Sequence, residues 1–246
     1  MVDPDPRVSG RGLALLRAQG IDVSVGVCHD EARRLNEAFV TAVTLGRPFI
    51  LLKAALSSDA CVAAAPGVRT RLTSHEADLI VHETRATVDA IAVGAGTVLA
   101  DDPELTARLV VRTRPLLRLV VDWRLRVPLS ARLFVRRDDA PVTVVTSPEA
   151  VERAPEHAAA LAGLGIDMLT VRGYDLGAMF AECGRREVRS VLVEGGVTLH
   201  RACIAAGLAD RLHLFITPHR LGPGGLAWDV GPCAIDAPGR VLPVGP

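Results

Sequence analysis

The sequence predicts an α/β domain whose β-sheet is mostly parallel and covered by helices on both faces. Three observations carry this. Short runs rich in Val, Ile and Leu alternate with helical stretches along most of the chain, the pattern of strand–helix–strand units packed on both sides of one sheet. Several of those runs stop at a charged or glycine-bearing turn, at Lys53, Gly94, Asp122 and Glu194, and ligands of open α/β sheets bind outside the carboxyl ends of the strands. The chain has 246 residues, enough for one large α/β domain or two small ones with a substantial core.

In chain order, residues 1–46 do not read as the start of the main domain. Leu13, Leu15 and Leu16 suggest a short helix, Ile21 to Val27 alternates, and a helix follows from about Asp30 to Leu45. Arg47 to Leu56 is a strongly apolar strand, with Ser57, Ser58 and Asp59 at its carboxyl end. Ala63 to Arg71 reads as a loop, and Thr73-x-x-Glu76 as a capping box opening a helix to about Arg85. Ala90–Val93, Leu116–Val121 and Val142–Thr146 are strands, and Ser147-Pro148 starts a helix to about Leu164. Strand Asp167–Val171, helix Leu176–Arg185, strand Ser190–Val193, helix Thr198–Ala206 and strand Arg211–Thr217 complete the alternation. The proline-rich end after Pro232 stops short of a closing strand, which would leave a sheet edge unpaired.

Composition narrows the function. Twenty-eight basic and 28 acidic residues balance, so no global field favours nucleic acid or an anionic membrane. No apolar run is long enough to span a bilayer, and the first residues lack the apolar stretch of a signal peptide. The five cysteines are widely spaced without a CxxC pair, which fits reduced cytoplasmic thiols rather than a disulfide frame or a zinc site. Lys53 is the only lysine among the 28 basic residues. Either it is a chance survivor, or the site needs a compact ammonium whose pKa can shift, which Arg cannot provide.

Three constellations carry possible chemistry. Gly94 to Arg108, GAGTVLADDPELTAR, places Thr97, Asp101 and Asp102 just beyond a buried strand. Two glycines there would allow a tight turn and a close approach, and Pro103 would end any helix; the alternative is an acidic surface loop. Glu194-Gly195-Gly196-Val197-Thr198 joins a strand to a helix, so its backbone N–H groups and helix dipole could hold an anion; the alternative is an ordinary strand-to-helix turn. Arg85 and Arg108 could grip a phosphate through bidentate contacts, or be solvated charges.

TVLADDPELTAR resembles the signature of the reductase domain of the bifunctional riboflavin-biosynthesis deaminase-reductases. RPFILLKAALSSDACVA (Arg47 to Ala63), LTSHEA (Leu72 to Ala77), Arg85 and LVEGGVTLHRACIAAGLADRLHLFITP (Leu192 to Pro218) follow that family's order. Residues 1–46 resemble the tail of the family's deaminase domain and its connector, and 47–246 the reductase domain. The deaminase core is not part of this sequence, because the combination of His-x-Glu with Pro-Cys-x-x-Cys needed for zinc does not occur.

The resemblance implies a dihydrofolate-reductase-like fold and a cytoplasmic homodimer. It implies reduction of 5-amino-6-(5-phosphoribosylamino)uracil to the ribitylamino product with NADPH and without a metal. Asp101 and Lys53 are then the catalytic candidates. Arg69, Arg85, Leu105, Arg108 and Glu194 fall at substrate positions. Ala55, Arg71, Thr97, Asp101, Gly195, Gly196, Val197, Thr198, Leu199, His200, Arg201 and Ala202 fall at cofactor positions, although His200, within a helix, reads as a surface or supporting residue. The alternatives are a diaminopyrimidine or pterin reductase, or an inactive nucleotide-binding relative. Three positions depart from the family: Ala60 stands where glycine is common, Arg69 where a small hydroxyl residue is, and Arg71 where tryptophan is.

Overall fold

The computed structural model describes residues 1–135 and 140–231. The chain divides into two units, Met1–Phe49 with Phe180–Arg189, and Ile50–Met179 with Ser190–Pro246. The first unit holds α1 (Arg11–Ala18), α2 (His29–Leu35) and α3 (Glu37–Leu45), none of which contains a buried residue. The single helix expected over Asp30–Leu45 is therefore two. It breaks at Asn36, whose backbone φ of −108° is not helical and whose side-chain amide donates to the Ala32 carbonyl at 2.8 Å.

In the second unit the elements run β1 (Phe49–Leu56, begun in the first unit), β2 (Cys61–Ala63), α4 (His75–Thr87), β3 (Ala90–Gly94), α5 (Ala95–Asp101) and β4 (Leu117–Val121). Next come α6 (Arg132–Val135), β5 (Val142–Thr146), α7 (Pro148–Arg153), α8 (Pro155–Gly163), β6 (Asp167–Thr170) and a 3₁₀ turn at Arg172–Tyr174. The rest is α9 (Leu176–Arg185, which ends in the first unit), β7 (Ser190–Glu194), α10 (Val197–Ala205), β8 (Arg211–Ile216) and β9 (Leu226–Ala227). Pro155 starts a new helix where one was expected to continue to Leu164, since proline fits a first turn and not an interior.

Among the described residues the main sheet has seven strands in the order β6-β5-β4-β3-β7-β1-β8. β3 is parallel to β4 and β7, β5 to β4 and β6, and β1 to β8, so the sheet is mostly parallel, as expected. Ala90, Ile91, Ala92 and Val93 of β3 are each 0% exposed. Successive side chains of a strand point to opposite faces, so both faces are covered there. β2 and β9 form a separate antiparallel pair, which no local pattern announced. The end of the chain beyond Gly231, with Cys233 and the segment expected to stop short of a closing strand, lies outside the described residues. Cys28, Cys61, Cys183 and Cys203 are free thiols.

Helix α4 starts one residue later than the capping box implied. Ser74, not Thr73, is the cap, accepting from the Ala77 N–H at 3.3 Å, while the Thr73 hydroxyl donates to Asp78 at 2.7 Å. Ala60, which the resemblance places where glycine is common, has φ of +58°. That left-handed conformation costs a non-glycine residue roughly 1 kcal/mol or more. Ala60→Gly should therefore raise stability by about 0.5–1 kcal/mol after the extra freedom of glycine in the unfolded chain is counted. A urea midpoint shifted upward with unchanged slope would show this; a midpoint at or below wild type would contradict it.

Candidate active site

The carboxyl ends of β1, β3, β4 and β7 open into one cavity of about 1180 Å³. From β1 come Lys53 and Ala55, from β3 and α5 Gly94, Thr97 and Asp101, and from the β7–α10 turn Glu194 through His200 with Ala202. The loop after β2 brings Arg69 and Arg71, α4 brings Arg85, and the loop after α5 brings Leu105 and Arg108. Of the expected site residues, Arg201 alone does not line the cavity. It points instead to Asp229, donating to its carbonyl at 2.8 Å and pairing with its carboxylate at 3.0 Å.

The glycine turn after β7 is built around Thr97. Gly195 has φ of +83°, and a Cβ there would meet Thr97 Oγ1 at 2.5 Å. The Gly196 N–H donates to that same hydroxyl at 3.1 Å. The close approach expected at Gly94 and Gly96 is thus found at Gly195. Gly94 has φ of −79°, Gly96 has nothing within 4 Å, and β3 passes directly into α5. Helix α5 ends at Asp101, and Asp102 turns away in a left-handed conformation of φ 41° before Pro103.

Glu194 and Arg85, 109 residues apart, form a bidentate pair with both contacts at 2.7 Å. Their side chains are only 10% and 14% exposed, so little solvent screens them. Burial works to raise the Glu194 pKa, but Arg85, with help from Lys53 and His82, holds it below the usual carboxylate value. Burial opposes the Arg85 charge and Glu194 outweighs it. Arg85 also donates to the Thr106 carbonyl at 3.0 Å. Three of its five N–H donors are thus committed within the protein, so Arg85 is first a partner of Glu194 rather than a free phosphate ligand.

The other cations differ in how free they are. Arg71 pairs with Asp78 at 2.8 Å and Arg108 with Glu104 at 3.2 Å, the latter arginine 58% exposed. Arg69 makes no hydrogen bond or ion pair among the described residues, but its charge bears on Asp101. Burial raises the Asp101 pKa above the usual carboxyl value, and Arg69 opposes this. Lys53 lies 5.3 Å from the Phe215 ring centre, and burial lowers its pKa. A carboxyl whose pKa is raised and an ammonium whose pKa is lowered, both by burial, share one cavity, a combination that marks candidate acid–base groups.

His200 is buried rather than on the surface, at 1% exposure. Its Nε2 lies 3.2 Å from the Val193 carbonyl, and its Nδ1 accepts from the Trp228 indole N–H at 3.1 Å. Two bonds of that kind require the neutral ring with the proton on Nε2, and burial lowers its pKa accordingly. The ring braces the turn and β7 from behind. Leu105 is buried with φ of +53°. The loop that carries it is pinned by Arg118, a fully buried arginine of β4 that donates to the Glu104 carbonyl at 3.1 Å and to the Ala140 carbonyl.

Sequence reasoning missed Trp123, Arg124 and Arg126 after β4, and Tyr174, all of which line the cavity. The available signal was the same one that marked Lys53 and Glu194: a polar turn at the carboxyl end of a buried strand. His82, buried on α4 at the cavity wall, gave no signal beyond helical spacing.

Residues 48–232 match the family described as the RibD C-terminal domain. The chain belongs to that family. It is 37% identical over 230 residues to the riboflavin biosynthesis protein RibD of Aquifex aeolicus, covering 94% of this chain and 63% of that protein. To the RibD protein of Escherichia coli it is 35% identical over 241 residues, covering 90% of this chain and 62% of that one. Among solved structures it resembles the deaminase/5-amino-6-(5-phosphoribosylamino)uracil reductase of Thermotoga maritima, with a TM-score of 0.78 at 32% identity, over 96% of this chain and 63% of that one. The RibD of Acinetobacter baumannii gives a TM-score of 0.77 at 29% identity, over 98% and 64%. The architecture is thus the dihydrofolate-reductase-like fold of RibD reductase domains, and the chain spans less than two thirds of the length of these relatives.

Proposed function

We propose that residues 47–246 form a reductase that converts 5-amino-6-(5-phosphoribosylamino)uracil to 5-amino-6-(5-phosphoribitylamino)uracil with NADPH. The carrying observation is that a glycine turn opening a helix, a carboxyl biased towards its protonated form and several cations share one cavity at the strand ends. The residues present fit a nicotinamide dinucleotide. At Gly195 a side chain would collide with Thr97, so backbone is left bare there, and the Val197 and Thr198 N–H groups, which precede the first bonded turn of α10 at Leu199 and His200, would attract a pyrophosphate. Ala55, Arg71, Thr97 and the residues Gly195 to His200 with Ala202 are the cofactor side of the cavity in this reading.

When bound, the cofactor supplies a hydride to C1′ of the sugar. The substrate is prepared by opening of the ribose: the C1′–O4′ bond breaks, O4′ takes a proton, and C1′ becomes double-bonded to nitrogen. As C1′ is reduced, the electrons of that double bond move to nitrogen, which needs a proton. Asp101, whose carboxyl burial biases towards the protonated form, is the general acid in this reading. Lys53 polarises the sugar oxygens, and Glu194, kept ionised and aimed by Arg85, anchors hydroxyl or amino groups of the substrate. Leu105 supplies an apolar wall, and Arg108 and Arg69 take the phosphate.

The resemblance that supports this reading brings a cytoplasmic homodimer with it. Leu214 and Ile216, 39% and 69% exposed on β8, are apolar positions suited to such an interface. No helix among the described residues is long and apolar enough to cross a membrane. Residues 1–46 are read as the tail of a deaminase domain and its connector.

Phosphate recognition provides the test. Charge-assisted bonds to a phosphate contribute on the order of 1.5–3 kcal/mol each, and remote binding energy holds a flexible open-chain sugar in place for reaction. Removing the phosphate, or making Arg108→Ala, should lower kcat/KM by about tenfold to a hundredfold at moderate salt, with NADPH binding alone nearly unchanged. Equal turnover of phosphorylated and dephosphorylated substrates by the wild-type enzyme would remove the phosphate clamp and favour a pterin-type reductase.

A further inference from the structure

The geometry points to Trp228 as a positioning residue for the glycine turn after β7, acting through His200 and tying that turn to the loop after β8. The inference rests on the reductase reading only for what the turn binds; the brace itself is made of this chain's own contacts.

The loop after β8, residues 217–230, is fastened along its length. Near its start the Leu221 and Gly222 N–H groups donate to the Asp59 carboxylate at 3.1 and 2.8 Å, and the Ser58 N–H donates to the His219 carbonyl at 2.8 Å. Further on, the Trp228 backbone N–H donates to the Ala60 carbonyl at 2.8 Å, beside the pairing of β2 with β9. At the far end Arg201 of α10 donates to the Asp229 carbonyl at 2.8 Å, and Val230 is buried. In the sheet β1 stands between β7 and β8, and α10 follows β7. A loop that leaves β8 and reaches α10 therefore runs past the carboxyl end of β1 as a strap.

Trp228 carries this strap to the glycine turn without lining the cavity itself. Its indole N–H donates to His200 Nδ1 at 3.1 Å, and the two rings meet edge to face, with centres 6.2 Å apart and planes at 80°. A neutral ring that accepts at Nδ1 has its proton on Nε2, so Nε2 donates to the Val193 carbonyl at 3.2 Å. The His200 backbone N–H donates to the Gly196 carbonyl at 3.3 Å. His200 thus holds the chain on both sides of Glu194 and Gly195, and the Trp228 donor fixes which ring nitrogen faces Val193. The turn needs such a brace because Gly195 and Gly196 have no side chains to anchor it. Thr97 supports it from one side through the Gly196 N–H, and His200 supports it from the other. Glu194 is gripped separately by Arg85, so loss of Trp228 should loosen the turn and spare the substrate carboxylate.

The test uses the purified full chain with Trp228→Phe, which keeps an aromatic ring and removes the donor, with His200→Gln, and with both changes together. Amide exchange over residues 194–198, followed by mass spectrometry, should quicken about fivefold to thirtyfold in Trp228→Phe, while β3 and β4 exchange as in the wild type. KM and Kd for NADPH should rise about threefold to tenfold, with kcat at saturating NADPH and KM for the uracil substrate within about twofold. In the His200→Gln background, Trp228→Phe should change NADPH affinity by less than about 1.5-fold, because the bond it removes is already gone. Nitrogen-15 NMR of the wild type should find the His200 proton on Nε2. A proton on Nδ1, exchange and NADPH affinity unchanged in Trp228→Phe, exchange quickened across the whole sheet, or fully additive losses in the double variant each overturn the assignment. If the wild type binds no NADPH, the reductase reading falls, and the exchange and NMR results decide the brace by themselves.

Discussion

Arg85→Ala is expected to lower stability by about 3–5 kcal/mol, the usual cost of leaving one partner of a buried ion pair uncompensated. Glu194 would keep its buried position without the bidentate contacts at 2.7 Å that hold it ionised. In a domain of this size a loss on that scale lowers Tm by roughly 10 °C. The pH dependence has a definite sign. The folded-state pKa of Glu194 is depressed, so the pair's contribution is present above the ordinary carboxylate pKa and is lost as pH falls through the folded value. The gap between wild type and Arg85→Ala should therefore narrow on acidification. Replacing both residues with apolar side chains of similar volume should recover much of the loss, which separates the orphaned charge from a simple packing defect. A decrease below about 1 kcal/mol would show that the pair behaves as an exposed one.

Asp101→Asn is expected to cut turnover by about a hundredfold or more, the usual contribution of a positioned general acid. The fold should survive, because Asp101 is the last residue of α5, half-exposed, and the amide has the same shape. In the wild type, burial raises the Asp101 pKa, so the protonated form persists to higher pH than for an ordinary carboxyl group. The reduction needs that form, and kcat/KM should fall as pH rises through the raised value. The mutant should lose this limb. Turnover near the wild-type level, with the pH profile unchanged, would take Asp101 out of the mechanism.

The strands were legible because parallel strands buried on both faces are apolar throughout, as Ala90 to Val93 are. Lys53 and the Glu194 turn were legible because each is a polar break at the end of such a run. The pairing of Arg85 with Glu194 was not, since nothing local in either segment refers to a partner 109 residues away. The same holds for β2 with β9, and for Arg118, whose charge is absorbed by carbonyls of two distant loops. Asn36 split a helix without a proline or glycine to announce it. The β4 turn escaped notice because Asp122 reads as a surface acid until its carboxylate is seen to hold three backbone N–H groups. Ala60, expected from the resemblance to stand where glycine is common, takes the left-handed conformation that glycine adopts most readily.

The central claim is that this cavity passes a hydride from NADPH to the sugar carbon of the phosphoribosylaminouracil. The most direct measurement is a single-turnover reaction of the purified chain with stoichiometric NADPH deuterated at the transferred position and the uracil substrate, with the product analysed by mass spectrometry and NMR. The account predicts NADPH oxidation only when substrate is present, and one deuterium at C1′ of a ribitylamino product. Oxidation without substrate, no oxidation at all, or deuterium elsewhere in the product would contradict it.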